Sequence, residues 1–172
     1  MRTPRLSELP PVNGAWIEID VSRQCLSLWQ GEQVAHSCEV STAQAGTGQQ
    51  EGSGRTPLGW HYIRAAIGRG APLDGVFRGR RFTGEVYSDS LAKAHPSRDW
   101  ILTRILWLCG LETGFNRGEC VDSQRRYIYL HGTPPDQPMG VARSHGCIRM
   151  RNADLVLMIE KAPPGTPVWL HE

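Results

Sequence analysis

A chain of 172 residues is long enough for one domain with a proper core and short for two. Its residues are 40% hydrophobic and 21% charged, an ordinary soluble globular mixture. The formal net charge of +2, with Lys and Arg scattered rather than blocked, gives no nucleic-acid footprint. No apolar run is long enough to cross a bilayer, because the longest, residues 100–111, is broken by Thr103 and Arg104.

Residues 1–14 bear prolines and no periodicity, so an extended lead-in is expected before a single domain over 15–172. The lead-in has no apolar segment of the signal-peptide kind. The five cysteines (25, 38, 109, 120 and 147) are odd in number and lack scaffold spacing. Both features lead us to expect reduced thiols and a cytoplasmic protein.

Residues 16–21, 24–29 and 34–42 each alternate apolar with polar side chains, which predicts three half-buried strands in a meander. The Gly-rich stretch 45–55 fails the phosphate-loop test, since Ser53 stands where a Walker loop needs its second glycine. Glu51 stands where a dinucleotide loop needs its third. It is expected to be a mobile loop before Thr56-Pro57-Leu58-Gly59 and a strand over 60–64. Residues 68–82 read as an irregular loop with Arg78, Arg80 and Arg81 on a solvated rim. A short strand over 84–89, a helical turn over 90–94 and a strand over 101–108 follow. Residues 126–131 predict a buried strand that delivers His131 at its end. Asn152 is the expected N-cap of a helix over 153–161, stopped by Pro163-Pro164-Gly165, and residues 166–170 form a last strand. The sum is a mainly β domain with one real helix.

The chemistry concentrates in His131-Gly132-Thr133 and Ser144-His145-Gly146-Cys147-Ile148-Arg149. A thiol is the most nucleophilic side chain near neutral pH, and imidazole is the base matched to it. Neighbouring positive charge and a downstream helix N-terminus are expected to lower the Cys147 pKa. Glycine at 146 lets backbone N–H groups around Gly146 and Cys147 face an oxyanion. A zinc site of His131, His145 and Cys147, with Cys120 or Asp122 as fourth ligand, lacks any CxxC or HExxH spacing, so no metal and no cofactor is expected.

These two motifs resemble the signature of L,D-transpeptidase catalytic domains of the YkuD type. The likeness extends through Glu18-Ile19-Asp20, Gly52-Ser53-Gly54-Arg55-Thr56-Pro57-Leu58-Gly59 and Asn152-Ala153-Asp154. The resemblance implies a β-sandwich-like fold with its main helix after the catalytic cysteine. It implies Cys147 as nucleophile, His131 as base and His145 as second catalytic histidine. Ser144, Gly146, Arg149, Gly132, Thr133 and Arg143 are implied to hold the oxyanion or substrate. The connection between Thr133 and Ser144 is short for the family.

Family members attack the L,D-amide between the diamino acid and terminal D-alanine of a peptidoglycan tetrapeptide. A muropeptide or peptidoglycan substrate is therefore expected, with no membrane, nucleic-acid or obligate protein partner. With a cytoplasmic location, the expectation is an L,D-carboxypeptidase of murein recycling. The alternatives are a crosslinking transpeptidase and a non-catalytic muropeptide-binding module.

Overall fold

A computed structural model describes residues 1–172. Ten strands form one sheet: β1 (Ala15–Asp20), β2 (Cys25–Gln30), β3 (Gln33–Ser41), β4 (Gly59–Ile67), β5 (Gly75–Arg78), β6 (Arg81–Val86), β7 (Ile101–Gly110), β8 (Tyr129–Gly132), β9 (Ile148–Met150) and β10 (Pro167–His171). Their order is β4-β10-β1-β2-β3-β9-β8-β7-β5-β6. A further β4–β7 pairing closes eight of them on themselves, with the β5–β6 hairpin attached outside. The mainly β expectation holds, in a closed, barrel- or sandwich-like form.

Two helices accompany the sheet, α1 (Asp89–Ala94) and the longer α2 (Asn152–Lys161). Strand alternation sends Ile17, Ile19, Leu26, Leu28 and Val40 inward, where Leu155, Met158 and Ile159 of α2 meet them in one core of 18 residues. The outward positions carry an aromatic row instead. Trp29 stacks on Trp16, Trp16 meets Trp60 tilted, Trp60 stacks on Trp169 and Trp169 on His171, at centroid spacings of 4.2–5.9 Å.

The structure corrects several expectations. Residues 68–82 are not irregular throughout: β5 and β6 form a hairpin across Gly79 and Arg80, whose φ angles are +53° and +64°. That is the two-residue turn geometry matching strand twist, usually supplied by Asn-Gly, so the Gly-Arg pair gave no signal. The strand expected over 126–131 is confined to β8, because Tyr127 at φ +57° breaks the extended run. Asn152 does not cap its helix. Arg151 holds the N-cap position without a side-chain bond, and the Asn152 amide serves the site described next.

Candidate active site

Strands β8 and β9 are parallel neighbours, with Leu130 opposite Ile148 and His131 opposite Arg149. Leu130, Ile148 and Met150 face the core. By alternation Tyr129, His131, Cys147 and Arg149 take the other face, where Cys147 packs on a second cluster of Phe77, Ile105 and Tyr129. The two motifs thus meet on one face of adjacent strands.

His131 is buried, and its Nδ1 lies 2.7 Å from the Gly132 carbonyl oxygen. A carbonyl only accepts, so Nδ1 carries the proton and Nε2 presents its lone pair. Burial, more than any neighbouring charge, holds the His131 pKa below the usual 6.5 and keeps the ring neutral. Gly132 must be glycine: a Cβ there would stand 2.2 Å from Asn152 Oδ1 and 2.7 Å from the Leu102 carbonyl oxygen. Asn152 uses that Oδ1 to accept from the Thr133 N–H at 3.1 Å, and its Nδ2 donates to Asp74 at 3.2 Å.

The Cys147 sulfur is held by main chain. It accepts from the Tyr129 N–H at 3.4 Å and donates to the Tyr127 carbonyl at 3.3 Å. Burial pushes the thiol up to about 11, against the lowering by the Tyr129 N–H, Arg149 and Arg126. This reverses the expected depression: the arginines are present, but desolvation outweighs them. Beside it, Arg80 lies over the rings of Trp107 (4.9 Å) and Tyr127 (4.7 Å) and donates to the Tyr129 hydroxyl at 3.1 Å. Of the three arginines expected on a solvated rim, Arg80 is therefore engaged at the site.

The turn before Cys147 is fixed from several sides. Gly146 has φ +136°, its N–H donates to Ser144 Oγ at 3.3 Å, and Ser144 Oγ donates to the Cys147 carbonyl. Thr56 Oγ1 donates to the Gly146 carbonyl at 2.9 Å and accepts from the Ala43 N–H at 2.9 Å. Arg126 donates to the carbonyls of Gly48, Gln49 and Arg55 and to Ser53 Oγ. The Gly-rich stretch is thereby pinned, contrary to the mobile loop expected of it.

At the mouth, Arg149 is buried and bonded to Asp99 Oδ1 (3.1 Å) and Gln137 Oε1 (3.3 Å). His145 is exposed, with Nδ1 3.6 Å from the other Asp99 oxygen. Arg143 is exposed, and it is its backbone N–H that bonds, to Thr42 and Ser41. Sequence reasoning missed Asp99, Thr56, Arg126 and the capping role of Tyr127 and Tyr129. Only Thr56 carried a signal, the TPxG element. Residues Pro96–Trp100, Thr133, Gln137, His145 and Arg149 line a polar cavity of about 180 Å³. A larger one of about 600 Å³ lies across the Arg98–Asp99 rib, lined by β5, β6 and His95. The cluster of three ligand-type side chains close enough to share a metal is His36, Cys38 and Asp154, not the His131–His145–Cys147 set.

The profile of YkuD, the L,D-transpeptidase catalytic domain, matches residues 14–170. A 43-residue stretch is 44% identical to a probable L,D-transpeptidase, YbiS, of Escherichia coli K12, covering 25% of this chain and 14% of that protein. Among solved structures, a cysteine-to-serine mutant of the Enterococcus faecium L,D-transpeptidase is similar at TM-score 0.57 and 15% identity. It covers 94% of this chain and 51% of its own. An L,D-transpeptidase from Xylanimonas cellulosilytica is similar at TM-score 0.54 and 20% identity, covering 99% and 64%. The chain thus spans less than two thirds of the length of each of these three relatives.

Proposed function

From a chain that belongs to the L,D-transpeptidase catalytic domain family, we propose a cysteine-dependent acyl transfer on the L,D-amide of a peptidoglycan tetrapeptide. The observation that carries it is the shared face of β8 and β9, which bears His131, oriented by the Gly132 carbonyl, and the Cys147 thiol, held by the Tyr129 N–H. The thiol rests protonated, so His131 Nε2 takes the proton as sulfur attacks the amide carbonyl carbon. The Gly146 N–H is already engaged with Ser144, which leaves the Cys147 N–H as donor to the oxyanion. The imidazolium then gives its proton to the departing D-alanine amine, leaving a thioester. An acceptor activated by the same imidazole resolves it and regenerates the thiol. Arg149 is the fork-shaped partner for the terminal carboxylate, in place of Asp99.

For the acceptor we favour water, which makes the protein an L,D-carboxypeptidase. The polar cavity at His145 and Arg149, about 180 Å³, is smaller than the roughly 300–1,000 Å³ of typical ligand sites, which suits water better than a second stem peptide. Five free thiols, Cys120 exposed among them, suit a reducing compartment and soluble muropeptides of recycling. The rival reading, crosslinking transpeptidation, draws on the about 600 Å³ cavity beyond Asp99, which has room for an amine-bearing acceptor. Pure protein incubated with disaccharide-tetrapeptide, with and without added amine acceptor, tests both by mass spectrometry. Tripeptide plus D-alanine supports hydrolysis and dimer supports crosslinking. Neither product sinks the enzyme reading.

A further inference from the structure

A second cluster of reactive side chains lies away from the nucleophile. His36 and Cys38 are two apart on β3, so alternation sends both to one face. That face is shared with Val40 of the core, and Asp154 rises beside them from the first turn of α2. One ligand atom from each of the three side chains lies within 4.8 Å of the other two. His36 Nε2 and Asp154 Oδ1 are 2.8 Å apart, and these side chains remain 28% and 24% exposed. A solvated cation therefore has a way in.

A hydrogen bond accounts for two of the three groups. It leaves unexplained why a half-buried thiol stands against a carboxylate.

We propose that His36, Cys38 and Asp154 form a three-ligand site for a zinc-class divalent cation, with solvent completing the coordination shell. The donor set selects the metal: thiolate and imidazole suit zinc, whereas magnesium and calcium require oxygen ligands. Bond lengths of about 2.0–2.3 Å place tetrahedral ligand atoms about 3.3–3.7 Å apart, so the His36–Asp154 pair, at 2.8 Å, would open by about 0.5 Å and separations of up to 4.8 Å would close by about 1 Å. Binding transfers the Cys38 thiol proton to buffer, and His36 ligates through the lone pair of its neutral ring.

The site's place in the fold indicates its use. Strand β3 pairs with β9 through Val40–Met150 and Ser41–Arg149, and α2 leaves β9 directly. A metal joining β3 to α2 clamps both elements that flank the nucleophile's strand, from the face opposite Cys147. Its role is structural.

Chelator-stripped full-length protein titrated with Co²⁺ and Zn²⁺ tests this. One equivalent of Co²⁺ should give a thiolate-to-metal charge-transfer band, and Zn²⁺ should raise Tm. Cys38→Ser should remove the band and weaken zinc binding by more than the roughly 10–100-fold lost with an outer-shell partner. His36→Gln, at a partly exposed position, should weaken zinc binding likewise, so that the band no longer saturates at one equivalent of Co²⁺. Cys147→Ala should keep band, stoichiometry and Tm shift. Three results overturn the proposal: no stoichiometric binding to wild type, a band that survives Cys38→Ser, or a band lost in Cys147→Ala.

Discussion

His131 directs its Nδ1–H to the carbonyl oxygen of Gly132, 2.7 Å away, so a peptide group takes the orienting place that a carboxylate holds in many catalytic triads. The imidazolium formed during attack then has a dipole beside it rather than a full negative charge. His131→Ala should lower kcat/KM by about 10²–10⁴-fold and Cys147→Ala should abolish turnover, with unchanged Tm in the latter. His131→Ala with wild-type turnover would remove the base assignment.

The resting state should be an unreactive thiol. Burial raises Cys147 to about 11, so alkylation of the free enzyme should climb with pH through the alkaline range, without a plateau at neutrality. Turnover follows a different group. The His131 pKa is held below 6.5, so the acid limb of kcat/KM should fall below pH 6.5. Iodoacetamide rates and a pH–rate profile measure the two limbs separately, and an alkylation plateau near pH 7 would contradict the half-buried, protonated thiol.

Thr56 bridges two strands' worth of backbone, accepting from Ala43 and donating to Gly146. Thr56→Val strips both bonds at nearly constant volume and leaves two buried peptide groups unpaired. A stability loss of about 1–3 kcal/mol per unpaired group is expected, together with a fall in kcat. Thr56→Ser should restore most of both. Equal kcat in the two variants would mean that Thr56 does not position the nucleophile turn.

Gly132→Ala drives a methyl into the space of Asn152 Oδ1. Overpacking of this kind costs about 1–3 kcal/mol, read by denaturant midpoint. Combining it with Asn152→Ala should recover part of that loss, because the clashing atom is gone. Strict additivity of the two losses would refute the contact.

Acid stability has a separate source. His61 is fully buried between the Gly59 carbonyl and Ser123 Oγ, and burial lowers its pKa from 6.5 to about 4. The folded-state value is depressed for a base, so the unfolded chain binds the extra proton. The neutral ring's contribution is complete above pH 6.5 and is lost as pH falls toward about 4, amounting to about 3 kcal/mol. His61→Gln should flatten the stability profile in that window, and an unchanged slope would point to other groups.

The residues that were legible in the sequence are those whose signal is local. Alternation at Ile17, Ile19, Leu26 and Leu28 announces half-buried strands because period two is a property of the chain itself. His131 and Cys147 announce themselves through flanking glycines, for backbone reasons confirmed at Gly132 and Gly146. Asp99 carries no such mark, since only tertiary packing brings its carboxylate to Arg149. The same holds for Arg126, read as part of a strand and found gripping a loop far upstream. The thiol's pKa runs opposite to the sequence expectation because charge is visible in sequence whereas desolvation is not.

The sulfur of Cys147 has peptide groups as its two hydrogen-bonding partners, the Tyr129 N–H and the Tyr127 carbonyl. No side-chain replacement at either position deletes them. Drift in the surrounding aromatics can therefore reshape the cleft while the cradle of the Cys147 sulfur persists. Proline is the exception at Tyr129, where it removes the donor, and at Tyr127, whose φ of +57° it cannot adopt. Selection on specificity and selection on chemistry thus act on different atoms of the same two residues.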